Sequence, residues 1–320
     1  MARTGILIVN HTRAIVTQML AEQFDIHHVS GDELARDRLA PLPPGIRAVL
    51  TGVPPVPIGA RLMDALPDLA LIANFGAGYD AVDVAAAKAR GVMVTHTPGV
   101  LNDEVADLAM GLLLATVRRI PQAYNFAMSG AWSRGEFPMS PSLRDRRIGL
   151  VGLGGIGAAI ARRCAGFGLE IRYHSRNPRA DSPYQHVPGL LDLAHWADVL
   201  IVATPGGPAT RGLIDEPVLD ALGADGVLIN IGRGSVVDQD ALIRVLDRKG
   251  ILAAGLDVLV DEPEIPDALR NRDDVVILPH IGGATDRNRD RIGALQASNV
   301  LSWFAGKGAV TPAPEFAPRG

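Results

Sequence analysis

Short apolar runs alternate with helical patterns along nearly the whole chain. The runs "ILIVN" (6–10), "AVLTG" (48–52), "LALIAN" (69–74) and "VMVTH" (92–96) are strand-sized and apolar without interruption. Between them lie segments of helical periodicity, such as "RAIVTQMLAEQF" and "DVAAAKARG". Continuous apolar strands separated by helices belong to a parallel sheet covered on both faces. This first unit is expected to end near Pro98. A long helix follows, with Asn102 as N-cap, Asp103 and Glu104 at the positive end of its dipole, and Pro121 as its stop. Its pattern, "EVADLAMGLLLATVRRI", is apolar on nearly every side and predicts a buried helix.

Periodicity then fades over residues 121–147, where Trp132, Phe137 and Met139 are concentrated. Such a stretch reads as an irregular arm embracing a second subunit. A second alternation starts at "RIGLVGLGGIG" and continues through "LEIRYHS", "ADVLIVATP", "GVLINIG", "ILAAGLDV" and "DVVILPH". The helix "TDRNRDRIGALQASNVLSWFAG" is expected to return to the first unit, and the Pro-rich tail "TPAPEFAPRG" to be loosely held. The expected architecture is α/β, with two doubly wound parallel-sheet domains and a cleft between them. The first comprises residues 1–98 and 286–320; the second comprises 99–285 and carries the arm 121–147.

Composition narrows the functions available. At 320 residues the chain is long for one core and comfortable for two. A formal charge of −4 disfavours nucleic acid and anionic membrane as partners, since both attract basic faces. The single cysteine, Cys164, excludes a disulfide framework and a thiolate metal cluster, and its helical surroundings predict a packing role. No secretory or membrane segment is visible, so a reducing, cytoplasmic location is expected. His11, His27, His28, His186 and His195 show no ligand spacing, and His96 and His174 read as structural or peripheral, so no metal is expected. No G-x-S-x-G elbow or Walker motif is present.

The strongest chemical motif is Gly152, Gly154 and Gly157 in G-x-G-x-x-G spacing, preceded by a strand and followed by a helix. In this setting the first glycine makes the tight turn, the second admits a pyrophosphate to the backbone, and the third lets helix and strand pack closely. The phosphates then meet the N–H groups at the positive end of the helix. An NAD site places an acid about 20 residues on, at the end of the next strand. Here Ser175 and Arg176 stand there, while Asp181 comes only after Pro178. A hydroxyl and a guanidinium suit a 2′-phosphate, which predicts NADP(H) in preference to NAD(H).

Three later strands lead into chemistry on what should be the same carboxyl edge. "NIGRGS" presents Arg233 between Gly232 and Gly234, "GLDVLVDEP" presents Asp257 and Glu262, and "LPHIGG" presents His280. The glycines beside Arg233 are expected to let ligands approach. Arginine, carboxylate and histidine together can handle a small 2-oxo acid.

The ordered set "NFGAGYDAVD", "TPGVLNDEVADLAMGLLLA", "GLGGIG", "NIGRGS", "LDVLVDEP" and "LPHIGGAT" resembles the D-isomer-specific 2-hydroxyacid dehydrogenases, roughly from Asn74 to Thr285. Within them it is most similar to the NADPH-dependent glyoxylate, hydroxypyruvate and hydroxyphenylpyruvate reductases, through "VLNDEVADLA" and "YHSRN". The resemblance implies a flavodoxin-like substrate domain, a Rossmann-like cofactor domain and a homodimer. It implies Arg233 as the grip on the substrate carboxylate and His280 as proton donor to the forming alkoxide. Glu262 would bond the imidazole and favour its charged form, as a neighbouring carboxylate does. Backbone N–H groups of Ala77 and Gly78 would hold the same carboxylate, with Val53 in the pocket wall.

Cofactor contacts are implied for Val105, Gly152, Gly154, Gly155, Ile156, Gly157, Ser175, Arg176, Thr204, Pro205, Ile231, Gly232, Arg233, Asp257, His280, Gly282 and Gly283. Gly155 departs from the family, which often has an arginine or another long side chain there, so backbone alone is expected to hold the pyrophosphate. The implied activity is reduction of glyoxylate or hydroxypyruvate to the D-2-hydroxy acid. A phosphoglycerate dehydrogenase-like enzyme and a dinucleotide-sensing corepressor are the alternatives.

Overall fold

The computed structural model describes residues 3–35 and 42–317. The chain divides into two compact units, residues 1–101 with 285–320 and residues 102–284. The division falls where the helix Asn102–Val117 begins.

The first unit holds five parallel strands: β1 (Thr4–Val9), β2 (Phe24–Val29), β3 (Ile46–Thr51), β4 (Leu71–Ala73) and β5 (Met93–Thr95), in the order β2-β1-β3-β4-β5. This is the flavodoxin-like order. Alternate residues of one strand enter opposite cores. Leu7 and Val9 pack with Leu62, Met63 and Ala87, while Ile6 and Ile8 pack with Val16, Leu20, Ala297 and Val300. A strand with both faces covered needs apolar residues at every position, which explains the unbroken runs in the sequence. The helix Asp286–Phe304 belongs to this unit. Its buried Gln296 donates Nε2 to the carbonyls of Thr51 and Ala73 at 2.9 and 2.8 Å, tying the helix to the ends of β3 and β4.

The second unit holds β6 (Ile148–Val151), β7 (Ile171–His174), β8 (Gln185–His186), β9 (Val199–Val202), β10 (Val227–Asn230), β11 (Ala253–Leu256) and β12 (Val275–Ile277). Their order is β12-β11-β10-β9-β6-β7-β8, all parallel. The direction of winding reverses between β6 and β9, and open α/β sheets bind ligands at the carboxyl ends beside such a reversal. No helix among the described residues is long and apolar enough to cross a membrane.

Three readings of the sequence need correction. Pro121 does not end the long helix, which stops at Val117; it sits in the first turn of a new helix, Ile120–Met128, where a missing N–H costs nothing. The arm is therefore partly ordered, with a second short helix at Ala131–Arg134. The tail is docked as far as Phe316, which packs against the core of the first unit. Ala313 donates to the Val94 carbonyl at 2.9 Å, Thr311 exchanges bonds with Asn299, and Glu315 accepts from the Tyr79 hydroxyl at 3.0 Å. Residues 318–320 of that tail lie outside the described residues.

Candidate active site

In the second unit, the backbone after β10, β11 and β12 is shaped by buried polar side chains, and this sets the chemistry. Asn230 ends β10 and is 1 % exposed. Its Oδ1 accepts from the Gly232 N–H at 3.0 Å and its Nδ2 donates to the Arg233 carbonyl at 3.0 Å, so one amide brackets the bend that presents Arg233. The glycines on either side are required by the fold itself. A β-carbon on Gly232 would lie 2.7 Å from the Thr204 carbonyl oxygen, and one on Gly234 would lie 1.9 Å from that of Leu259. The Arg233 guanidinium is half-buried and donates Nη1 to the Gly232 carbonyl at 2.8 Å.

Asp257 follows β11 and is 2 % exposed. Its carboxylate accepts from the N–H groups of Ile281 and Gly282 at 2.8 and 2.9 Å, and its carbonyl accepts from His280 N–H at 2.9 Å. His280 has φ of 52°, a left-handed conformation that costs a non-glycine residue about 1–2 kcal/mol. Three bonds to one aspartate hold it there. Burial pushes the Asp257 carboxyl above its ordinary pKa, against the pull of the two N–H donors. Val105 is buried beside the same loop: its Cγ2 would stand 3.5 Å from a β-carbon on Gly282.

Glu262 Oε2 lies 2.7 Å from His280 Nδ1, while its Oε1 accepts from the Leu259 N–H at 3.0 Å. Burial pushes this carboxyl up, but the bonds from His280 and Leu259 outweigh it and hold the group below its ordinary value. It is therefore ionised at neutral pH. With Nδ1 committed to Glu262, Nε2 is the nitrogen left to exchange a proton with a ligand.

At the reversal of the sheet, Gly152 has φ of 96°, and a β-carbon there would lie 3.0 Å from the Ala203 carbonyl oxygen. One on Gly157 would lie 2.1 Å from the Gly152 carbonyl oxygen, so close helix–strand packing requires glycine. At Gly154 a β-carbon would meet nothing within 4 Å. That open side faces out from the start of the helix Gly155–Gly166, whose first N–H groups have no intrahelical acceptor. Ile156 follows half-buried in this first turn, Ile231 is 6 % exposed after β10, and Thr204 and Pro205 follow β9.

After β7, Arg176 is exposed, and Ser175 Oγ donates to the Asn177 carbonyl at 2.6 Å. Asp181 is occupied by Arg179, which pairs with it at 2.6 Å and also donates to the Leu153 carbonyl at 3.0 Å. An acid so engaged is a poor partner for a ribose hydroxyl, whereas the exposed guanidinium suits a 2′-phosphate. Sequence reasoning gave His186 and Arg179 no role. His186 bonds the Ser175 carbonyl at 2.9 Å, and Arg179 steadies the glycine turn through Leu153. Neither partner is adjacent in sequence, so only the fold reveals them.

The first unit carries its own turn at residues 74–80. Asn74, 4 % exposed, donates Nδ2 to the carbonyls of Gly76 and Gly78 at 3.2 and 2.9 Å. Thr51 Oγ1 accepts from the Phe75 N–H, Thr97 Oγ1 accepts from the Gly76 N–H, and His96 Nδ1 lies 2.8 Å from the Ala77 carbonyl. Carbonyls are thus drawn inward, while the N–H groups of Ala77 and Gly78 make no hydrogen bond among the described residues. Val53, half-buried after β3, donates to the His11 carbonyl at 2.9 Å.

Comparison with known proteins identifies the family. Residues 110–282 match the model for the NAD binding domain of the D-isomer specific 2-hydroxyacid dehydrogenases. The chain is 39 % identical over 312 residues to hydroxyphenylpyruvate reductase of Plectranthus scutellarioides, covering 98 % of this chain and 99 % of that one. It is 42 % identical over 253 residues to glyoxylate/hydroxypyruvate reductase A of Arabidopsis thaliana, covering 79 % and 81 %. Among solved structures, an NADPH-dependent glyoxylate/hydroxypyruvate reductase from Sinorhizobium meliloti, in complex with NADP and malonate, superposes with a TM-score of 0.93 at 42 % identity over 100 % of both chains.

Proposed function

Because the chain belongs to the D-isomer-specific 2-hydroxyacid dehydrogenases, we propose that it reduces glyoxylate or hydroxypyruvate to the D-2-hydroxy acid with NADPH. The observation that carries the reading is the 2.7 Å contact between Glu262 and His280, on loops fixed beside Arg233 by Asp257 and Asn230. The Gly154 opening, the first turn of the following helix and Arg176 fit a 2′-phosphorylated dinucleotide. When bound, that dinucleotide supplies the hydride that reaches C2 of the oxo acid.

The protein's own groups do the rest. Arg233 binds the substrate carboxylate and draws charge toward the ketone oxygen. His280 gives its Nε2 proton to that oxygen as negative charge develops there, and Glu262 stabilises the imidazolium before the transfer. In the reverse direction the neutral imidazole takes the proton from the alcohol. For the Ala77–Gly78 turn we propose the role of a second carboxylate holder, supported by two N–H groups that make no hydrogen bond among the described residues. Rates for a panel of 2-oxo acids, each with NADPH and with NADH, test the reading. Fast turnover of glyoxylate or hydroxypyruvate with NADPH is expected. Tight dinucleotide binding without turnover of any oxo acid would point to a sensor instead.

A homodimer in the cytoplasm completes the proposal. In the arm, Tyr124, Met128, Trp132 and Met139 are 63 %, 70 %, 71 % and 100 % exposed, an apolar display that a second copy of the chain would cover. Sedimentation should give twice the monomer mass of 33.8 kDa, and Met128→Glu with Trp132→Ser should lower it. A monomeric parent protein would refute the arm's role.

A further inference from the structure

One side chain from outside the glycine motif stands at the mouth of the dinucleotide turn. A β-carbon on Gly155 would lie 2.4 Å from Asn102 Nδ2, 3.0 Å from its Cγ and 3.1 Å from its Oδ1. The Asn102 carboxamide therefore fills the space that any side chain on residue 155 would claim. Asn102 opens the helix Asn102–Val117 and Gly155 opens Gly155–Gly166, so the positive ends of two helices meet at this amide. Asn102 was expected to cap its own helix. Instead its carboxamide has no hydrogen-bond partner among the described residues.

The neighbouring acids are turned to other work. Arg163 takes Asp107 at 2.6 Å and Asp103 at 3.2 Å, drawing both carboxylates into ion pairs on the packed flank of the two helices. The neutral donor is left beside the phosphate turn. A helix start ordinarily favours aspartate at least as well as asparagine, so stability alone does not demand an amide here. An anion arriving at this point does, because a carboxylate would repel it.

We infer that Asn102 is a cofactor-binding residue whose carboxamide donates to the pyrophosphate of NADP(H), in the place of a side chain on residue 155. The inference rests on the dinucleotide reading above. On this inference a side chain joins the backbone at the pyrophosphate.

Binding without turnover tests it, read from NADPH fluorescence and from competition by fragments. Asn102→Ala should weaken NADPH and 2′-phospho-ADP-ribose about tenfold, the loss expected for one hydrogen bond to a charged group. Adenosine 2′-monophosphate, which lacks the bridging pyrophosphate, should compete as it does with the parent protein. Asn102→Asp should melt at or above the parent temperature yet bind NADPH more weakly than Asn102→Ala. If Asn102→Asp binds NADPH within twofold of the parent, the residue only packs and the inference is overturned. Equal weakening of all three ligands in Asn102→Ala overturns it as well. A parent protein that binds no dinucleotide would remove the functional reading itself.

Discussion

The two regions that handle a carboxylate substrate in this proposal are built by opposite means. In the second unit, backbone bends held by Asn230 and Asp257 aim the side chains of Arg233 and His280 outward. In the first unit, the side chains of Asn74, Thr51, Thr97 and His96 hold the turn's backbone and leave the N–H groups of Ala77 and Gly78 without a partner among the described residues. The first arrangement supplies charge and a mobile proton, which backbone cannot. The second supplies fixed neutral donors that need no titration and lose little side-chain entropy on binding. Chemistry and grip can then be altered separately.

That separation can be broken most forcefully at His280. The His280→Ala variant should lose about 10²- to 10⁴-fold in kcat, the usual size of a general acid contribution, with NADPH affinity unchanged. Arg233→Ala should both raise KM for the oxo acid and lower kcat, since the guanidinium is assigned to binding and to polarisation together. Parent-like turnover by the histidine variant would end the mechanism.

A smaller effect is expected in the other unit. Asn74→Ala leaves two carbonyls without their donor, at a cost of about 1–3 kcal/mol, and loosens the turn. KM for the oxo acid should rise about five- to tenfold while kcat stays within twofold, a loss of roughly 1 kcal/mol in uniform binding. A lowered melting temperature with unchanged KM would make the turn purely structural and dissolve the comparison.

The smallest effect sharpens the contrast by leaving catalysis alone. Asp198 precedes β9, at the end of the sheet opposite the site, and accepts from the Arg147 N–H at 2.7 Å and from its guanidinium at 2.9 Å. These bonds, the guanidinium foremost, hold its carboxyl below the ordinary value of 3.8. A depressed folded-state pKa means that the pair stabilises fully above that ordinary value and is lost as pH falls through the folded one. Asp198→Asn should therefore cost about 1–2 kcal/mol at neutral pH, with kcat and KM unchanged. The gap in melting temperature from the parent should close below about pH 4. A gap independent of pH would remove the ion pair as its cause.

The same asymmetry explains what could be read from the sequence. Arg233, Glu262 and His280 were legible because charged and titratable residues after apolar strands are conspicuous. Asn230, which shapes the Arg233 bend, hides as the last polar letter of an apolar run. The interior strands, and the edge strands β5 and β12, announced themselves through continuous hydrophobicity. The edge strands β2 and β8 did not: "FDIHHV" and "QH" carry polar, solvent-reached positions, and only pairing with β1 and β7 defines them. Asn102 shows the deepest limit. Its neighbour Gly155 lies in another helix, and no local pattern joins residues so far apart.

The docked tail has a consequence for the order in which the protein takes shape. Tyr79 and Glu315 are separated by 236 positions, and the whole unit 102–284 is synthesised between them. While a nascent chain is still short of Thr311, the His96 carbonyl lacks its threonine partner and Tyr79 lacks its carboxylate. The turn at residues 74–80 is early in the sequence and late to be latched.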